Sequence, residues 1–129
     1  MAATEWKRRQ NTPATRHNAH EVAPPFCDCV QDAALANGVQ ARIEIPAGAT
    51  HVLMASTVDF AMRAGDADVD AAWPSSDTTD GSGCELTPAG LRKITEGETH
   101  IACIANVDLV APGADIGRVT FAFFALTNP

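Results

Sequence analysis

Apolar and polar residues alternate most regularly between Val39 and Ile45, where Val39, Ala41, Ile43 and Ile45 are separated by Gln40, Arg42 and Glu44. A period of two places the first set on one face of an extended chain and the second on the other, so the segment predicts a strand with one face in a core and one in water. Pro46, Ala47 and Gly48 end it, and HVLMAS at 51–56 follows at the distance of a short antiparallel connection. After a bend at STVD, Val58, Phe60 and Met62 alternate with Asp59, Ala61 and Arg63. Upstream, Asn37-Gly38 is a hairpin signal. FCDCVQDAA at 26–34 is therefore expected to be the incoming strand of that hairpin, since a helix over DAALA would be too short to stand alone.

Beyond Gly65 the pattern is weaker. Val69 to Trp73 is expected to form a brief edge strand, because Pro74 would remove a ladder hydrogen bond from a central one. The run WPSSDTTDGSGCELTP at 73–88 reads as a long structured loop, with LRKI at 91–94 and HIACIAN at 100–106 as the next strands. In the second of these Ile101, Cys103 and Ala105 share a face. IGRVTFAFFAL closes the chain with Val119, Phe121 and Phe123 on one side and Thr120 and Ala122 on the other. About eight short strands with almost no helical candidates can cover their apolar faces only by stacking as two sheets. The expectation is an all-β fold, an antiparallel β-sandwich of jelly-roll or Greek-key type.

Composition and charge divide the chain. With nine glycines, eight prolines and 19% charged residues among 129, it suits one β-rich core rather than long helices. Lys7, Arg8, Arg9 and Arg16 against Glu5 give the first twenty residues three net positive charges, so the remainder carries ten net negative charges of the total of -7. We expect residues 1–22 to form an extended basic polar arm and residues 23–129 a single β-sandwich domain. The acidic domain argues against specific nucleic-acid binding, and the arm suits an acidic surface, whether a neighbouring protein or packaged polymer. Neither a membrane span nor a secretory leader is expected, and the four cysteines, at 27, 29, 84 and 103, read as free thiols.

Candidate chemistry is sparse. Asp66, Asp68 and Asp70 precede Ala71 where a calcium loop of the EF-hand type needs glycine, and Asp77, Asp80 and Glu85 sit among turn residues. His17 and His20 lack a thiolate or carboxylate framework for a metal. GxSxG, GxGxxG and the phosphate-loop pattern do not occur, and the acidic residues occupy polar turns rather than the apolar setting that makes a carboxyl a general acid. No catalytic residue, metal or cofactor is expected.

Three segments carry a resemblance. EIPAGATHVLMASTVDFAMRAG, DAAWPSSDTTDGSGCELTPAGLRKI and HIACIANVDLVAPGADIGRVTFAFF, in that order, resemble a family of small tailed-bacteriophage virion proteins over about residues 39–124. The first match is at Pro46, Gly48, Ser56, Asp59, Phe60 and Arg63. The second takes in Pro74, Asp77, Asp80, Gly81, Glu85, Leu86, Pro88, Arg92 and Ile94. The arm and the CDC segment lie outside it. The resemblance implies a non-enzymatic capsid decoration or cement protein that binds and stabilises the head shell, soluble in the host cytoplasm before assembly and then on the capsid surface. Its implied partners are the major capsid protein or other virion proteins, with a homo-oligomer such as a trimer compatible and no membrane involved. A neck or tail accessory protein and a carbohydrate-binding β-sandwich module are the alternatives. Candidate protein-contact residues are Trp6, Lys7, Arg8, Arg9 and Arg16 in the arm, with Trp73, Asp77 and Asp80 in the long loop.

Overall fold

The computed structural model describes residues 26–27 and 29–127, together with a two-residue strand, β1, at Arg9–Gln10. Nine further strands follow: β2 Cys29–Ala36, β3 Ala41–Glu44, β4 His51–Ser56, β5 Ala61–Gly65, β6 Glu85–Leu86, β7 Leu91–Lys93, β8 His100–Ile104, β9 Asp115–Phe124 and β10 Leu126–Thr127. The described residues contain no helix, and hence none able to cross a membrane. One antiparallel sheet has the order β2-β9-β4-β7 and a second the order β3-β8-β5-β6. β1 and β10 form a separate parallel pair, Arg9 opposite Leu126.

Pairing is nested about the middle of the chain: β5 pairs with β6, β4 with β7, β3 with β8, and β2 with β9. β9 is the longest strand and pairs on both sides, with β2 along Cys29–Ala36 and with β4 along His51–Ser56. Its alternation puts Val119, Phe121 and Phe123 on one face, all with no exposed surface. Against them, in one continuous buried cluster, lie Leu35, Val52 and Met54 from their own sheet and Met62, Ile101 and Cys103 from the other. The two sheets therefore face each other across a single core. The Phe121 and Phe123 rings stack with centroids 6.3 Å apart, and burial pushes the Cys103 thiol up to about 11. Cys29, Cys84 and Cys103 are free thiols.

Several expected connections run differently. Asn37-Gly38 does turn the chain, with Gly38 at φ 74° and the Val39 amide donating to the Ala36 carbonyl at 3.0 Å. It makes no hairpin ladder, however. Beyond the single Ala36–Val39 bridge, β2 pairs with β9 and β3 with β8, so the turn carries the chain from one sheet to the other. The regular strand at 39–45 shortens to Ala41–Glu44 for the same reason, Val39 being left half-exposed at the crossover. The Pro46–Gly48 break is likewise a crossover, not an antiparallel connection between neighbours. Val69 to Trp73 forms no strand, and β6 lies inside the stretch read as a long loop.

Close approach, not conformation, explains Gly117. A Cβ there would stand 2.6 Å from the Thr57 hydroxyl and 2.8 Å from a Val58 methyl. That contact lets the Thr57 amide donate to the Arg118 carbonyl and the Arg118 amide donate to the Thr57 hydroxyl, both at 3.0 Å, so the chain leaving β4 stays against β9.

Phe121→Ala should lower the free energy of unfolding by about 3–5 kcal/mol, the usual cost of emptying a buried aromatic site, whereas Asp77→Ala should leave the urea denaturation curve unchanged. Equal curves for Phe121→Ala and the parent would contradict the core described above.

Candidate functional site

The segment from Asp66 to Cys84 runs over the outer face of the β3-β8-β5-β6 sheet. Ala71 is buried there, and Val69, Trp73 and Cys84 pack with it against Ala61, Ala102 and Ile104. β8 is thus apolar on both sides. The polar face of the β3 region grips the crossing chain: the Arg42 Nε donates to the Val69 carbonyl at 2.8 Å and its Nη2 meets Asp70 at 2.7 Å. Gln40 completes the grip, donating to Asp70 at 2.8 Å and accepting from the Ala71 amide at 2.7 Å. Exposed ion pairs of this kind contribute little individually, so the apolar underside is what holds the segment down.

Downstream, Asp77 and Asp80 are both exposed. Asp80 accepts from the Ser82 hydroxyl at 2.6 Å and from the Ser82 amide at 3.1 Å, which holds its carboxyl below the ordinary carboxylate range. Arg63 donates to the Ser82 carbonyl at 3.1 Å. Among the described residues no three His, Cys, Asp or Glu side chains gather as a metal site would require. Trp73 is half-buried and borders an open groove of about 480 Å³ with the hydroxyls of Ser75, Ser76, Thr78 and Ser82. Trp6, Lys7, Arg8 and Arg16 lie outside the described residues, and Arg9 is in β1.

Two features that the sequence did not single out occupy opposite ends of β8. At its C-terminal end the loop 106–114 is pinned by Asn37, the one buried polar side chain among the described residues. The Asn37 Nδ2 donates to the Val110 carbonyl at 2.8 Å and its Oδ1 accepts from the Val107 amide at 2.7 Å. The Asn37 main chain does the same, its amide donating to Ala114 and its carbonyl accepting from Gly113, each at 2.8 Å. A loop fixed at four points holds out Leu109, which is fully exposed and sits at φ 70°, a left-handed conformation that residues other than glycine, asparagine and aspartate rarely adopt. Val107, Val110 and Val39 are exposed too.

At the N-terminal end of β8 the edges of the two sheets part around a pocket of about 250 Å³. Met54, Met62 and Ile101 form its floor. Arg63, Lys93, Arg92, Glu85 and Glu98 form its rim. Glu85 on β6 and Arg92 on β7 close one side with a two-pronged ion pair at 2.8 and 2.9 Å, which fixes the guanidinium in its charged form still more firmly. His51, opposite Lys93 in the β4–β7 ladder, has its pKa lowered by burial and by that ammonium. Nothing in the sequence marks Glu85 and Arg92 as partners, because two exposed residues of opposite sign near Pro88 and Gly90 fit any turn.

No family model, curated protein or solved structure matches the chain.

Asn37→Ala should cost about 1–3 kcal/mol by leaving the Val107 amide and Val110 carbonyl without their partner, and hydrogen exchange at Val107 and Gly113 should accelerate. Leu109→Gly should not lower stability, since it removes no buried surface and relieves the left-handed strain. The reverse ranking of the two variants would show that the tip, and not its pin, holds the loop.

Proposed function

We propose that the protein is a non-enzymatic structural protein of a tailed-bacteriophage virion, a jelly-roll β-sandwich that decorates the capsid and stabilises the head shell. The strand order is the observation that carries this reading. Nested pairs β2–β9, β3–β8, β4–β7 and β5–β6, divided between two four-stranded sheets, support the jelly-roll reading, an architecture of capsid, lectin and cupin domains. A fold alone does not assign a function. The resemblance narrows it, and the matching residues behave as structural determinants: Phe60 is in the core, Pro88 is buried, and Glu85 pairs with Arg92. The places of these residues support a structural role for the motif.

Attachment is assigned to the basic arm and to the exposed face of the long loop, with Trp6, Lys7, Arg8, Arg9 and Arg16 meeting an acidic neighbour and Trp73, Asp77 and Asp80 flanking the contact. A small domain repeated over a symmetric shell gains retention from many modest interfaces. Full-length protein, a deletion of residues 1–22 and Trp6→Ala should be compared for rebinding to particles stripped of the protein, at low and high salt. The deletion should fold normally and bind at least tenfold more weakly, and binding of the full-length chain should fall with salt as exposed charges are screened. Equal occupancy by all three removes the arm from attachment. Absence of rebinding at either salt rejects the virion reading.

One observation favours a second reading, a carbohydrate-binding module. The groove beside Trp73 offers an aromatic face and four hydroxyls, groups that suit a sugar's apolar face and its alcohols. Titration with a panel of oligosaccharides should then change tryptophan fluorescence in the parent and not in Trp73→Ala. A flat response across the panel dismisses it.

A further inference from the structure

We propose that the protein associates with itself head to tail, the Asp108–Leu109 tip of one copy entering the pocket between β6 and β7 of the next, which has an apolar floor and a charged rim. The inference is independent of the virion reading. It starts from Leu109, an apolar side chain held in water in a strained backbone conformation by a loop anchored at four points. Strain maintained by a buried asparagine implies a use for the conformation, and an isobutyl group held out rigidly fits an apolar hole without further ordering cost.

This chain contains such a hole. An apolar cavity of about 150 Å³ accommodates benzene, so 250 Å³ is ample for a leucine side chain, and two floor residues, Met54 and Met62, adapt readily to an entering group. The rim selects what enters. Of its two carboxylates, Glu85 is neutralised by Arg92 and Glu98 accepts from the Thr95 amide at 2.7 Å. Arg63 donates to a neutral carbonyl and also acts on the Asp80 carboxylate, while Lys93 projects from an exposed edge position, so Lys93 is the cation that keeps its charge for an incoming acid. In a domain that is otherwise strongly acidic, this cation at the rim matches a leucine preceded by a carboxylate. Asp108 and Leu109 present that pair.

Geometry excludes closure within one molecule. The pocket adjoins Glu98 and Ile101 where β8 begins, and the tip follows where β8 ends, so five residues of strand, about 17 Å at 3.3 Å each, keep them apart. Each copy thus offers one tip and one pocket, and the contact is heterologous: it closes as a ring or continues as a chain. A contact of this size is weak in isolation.

Sedimentation velocity of the isolated protein over about 5 μM to 1 mM, in salt whose screening length is about 8 Å, tests this. The parent should show a mass that rises with concentration past the dimer. Leu109→Asp, which spoils the tip, and the double variant Arg63→Glu, Lys93→Glu, which inverts the rim, should each associate about tenfold or more weakly with unchanged melting temperatures. An equimolar mixture of the two should form one-to-one dimers and stop there, because one partner keeps only its pocket and the other only its tip. Should loss of the Arg63–Ser82 bond lower the melting temperature, Lys93→Glu alone carries the comparison. A parent that stays monomeric throughout, a mixture that forms no dimer, or variants that still dimerise by themselves would each overturn the proposal. None of these outcomes bears on particle rebinding by the arm.

Discussion

Burial of one face of β9 organises the domain. Val119, Phe121 and Phe123 present a continuous apolar stripe, and β9 is bonded along both edges, so its register fixes where β2 and β4 stand. Slipping either neighbour by one residue would turn Leu35 or Met54 to solvent and an exposed residue such as Ala34 or Ala55 to the core, which is why the pairing is unique. The second sheet follows from the same stripe. Its strands are short, and Ile101, Cys103 and Met62 reach full burial only because the β9 aromatics lie opposite.

Polar groups set what happens at the margins of that core. Asn37 sits where the chain changes sheet, and its amide satisfies backbone groups that a buried turn would otherwise strand. Glu85 and Arg92 serve the opposite margin, joining the edge strands of the two sheets where neither has another strand to pair with. One margin is consequently an anchored apolar protrusion and the other a recess with charged walls. Both proposals for the molecule's behaviour depend on its surfaces, not on any group with unusual reactivity.

Period-two patterning made β8 and β9 readable, because each has one face wholly committed to the core. β4 is legible instead from its spacing after the Pro46–Gly48 break. β5 begins only at Ala61, which the alternation at 58–63 sets opposite the core face and which is buried under the crossing segment. The patterning could not reveal which strands pair. Asn37-Gly38 looks like a hairpin turn locally, yet each flanking strand pairs with residues at least 56 positions away. Val69, Ala71 and Trp73 alternate as a strand would, and their apolar side is indeed covered, but by the outside of a sheet whose hydrogen bonds are already taken. β6 was invisible because two exposed residues show no period. The acid loop was conspicuous for its composition and contains turn bonding from Ser82 to Asp80, while the tip and pocket were inconspicuous because each is assembled from ordinary residues by the fold.

Nested pairing also dictates the order in which the chain can be completed during synthesis. The inner pair β5–β6 and then β4–β7 can form as soon as Lys93 has emerged, but the strand that covers them is the last long one made. At about 5–20 residues per second the ribosome leaves Leu35, Val52, Met54 and Phe60 without their aromatic cover for a few seconds. A chain ended before β9 would lack the strand that bonds β2 to β4 and would leave their apolar face uncovered, so such a truncation should aggregate rather than fold.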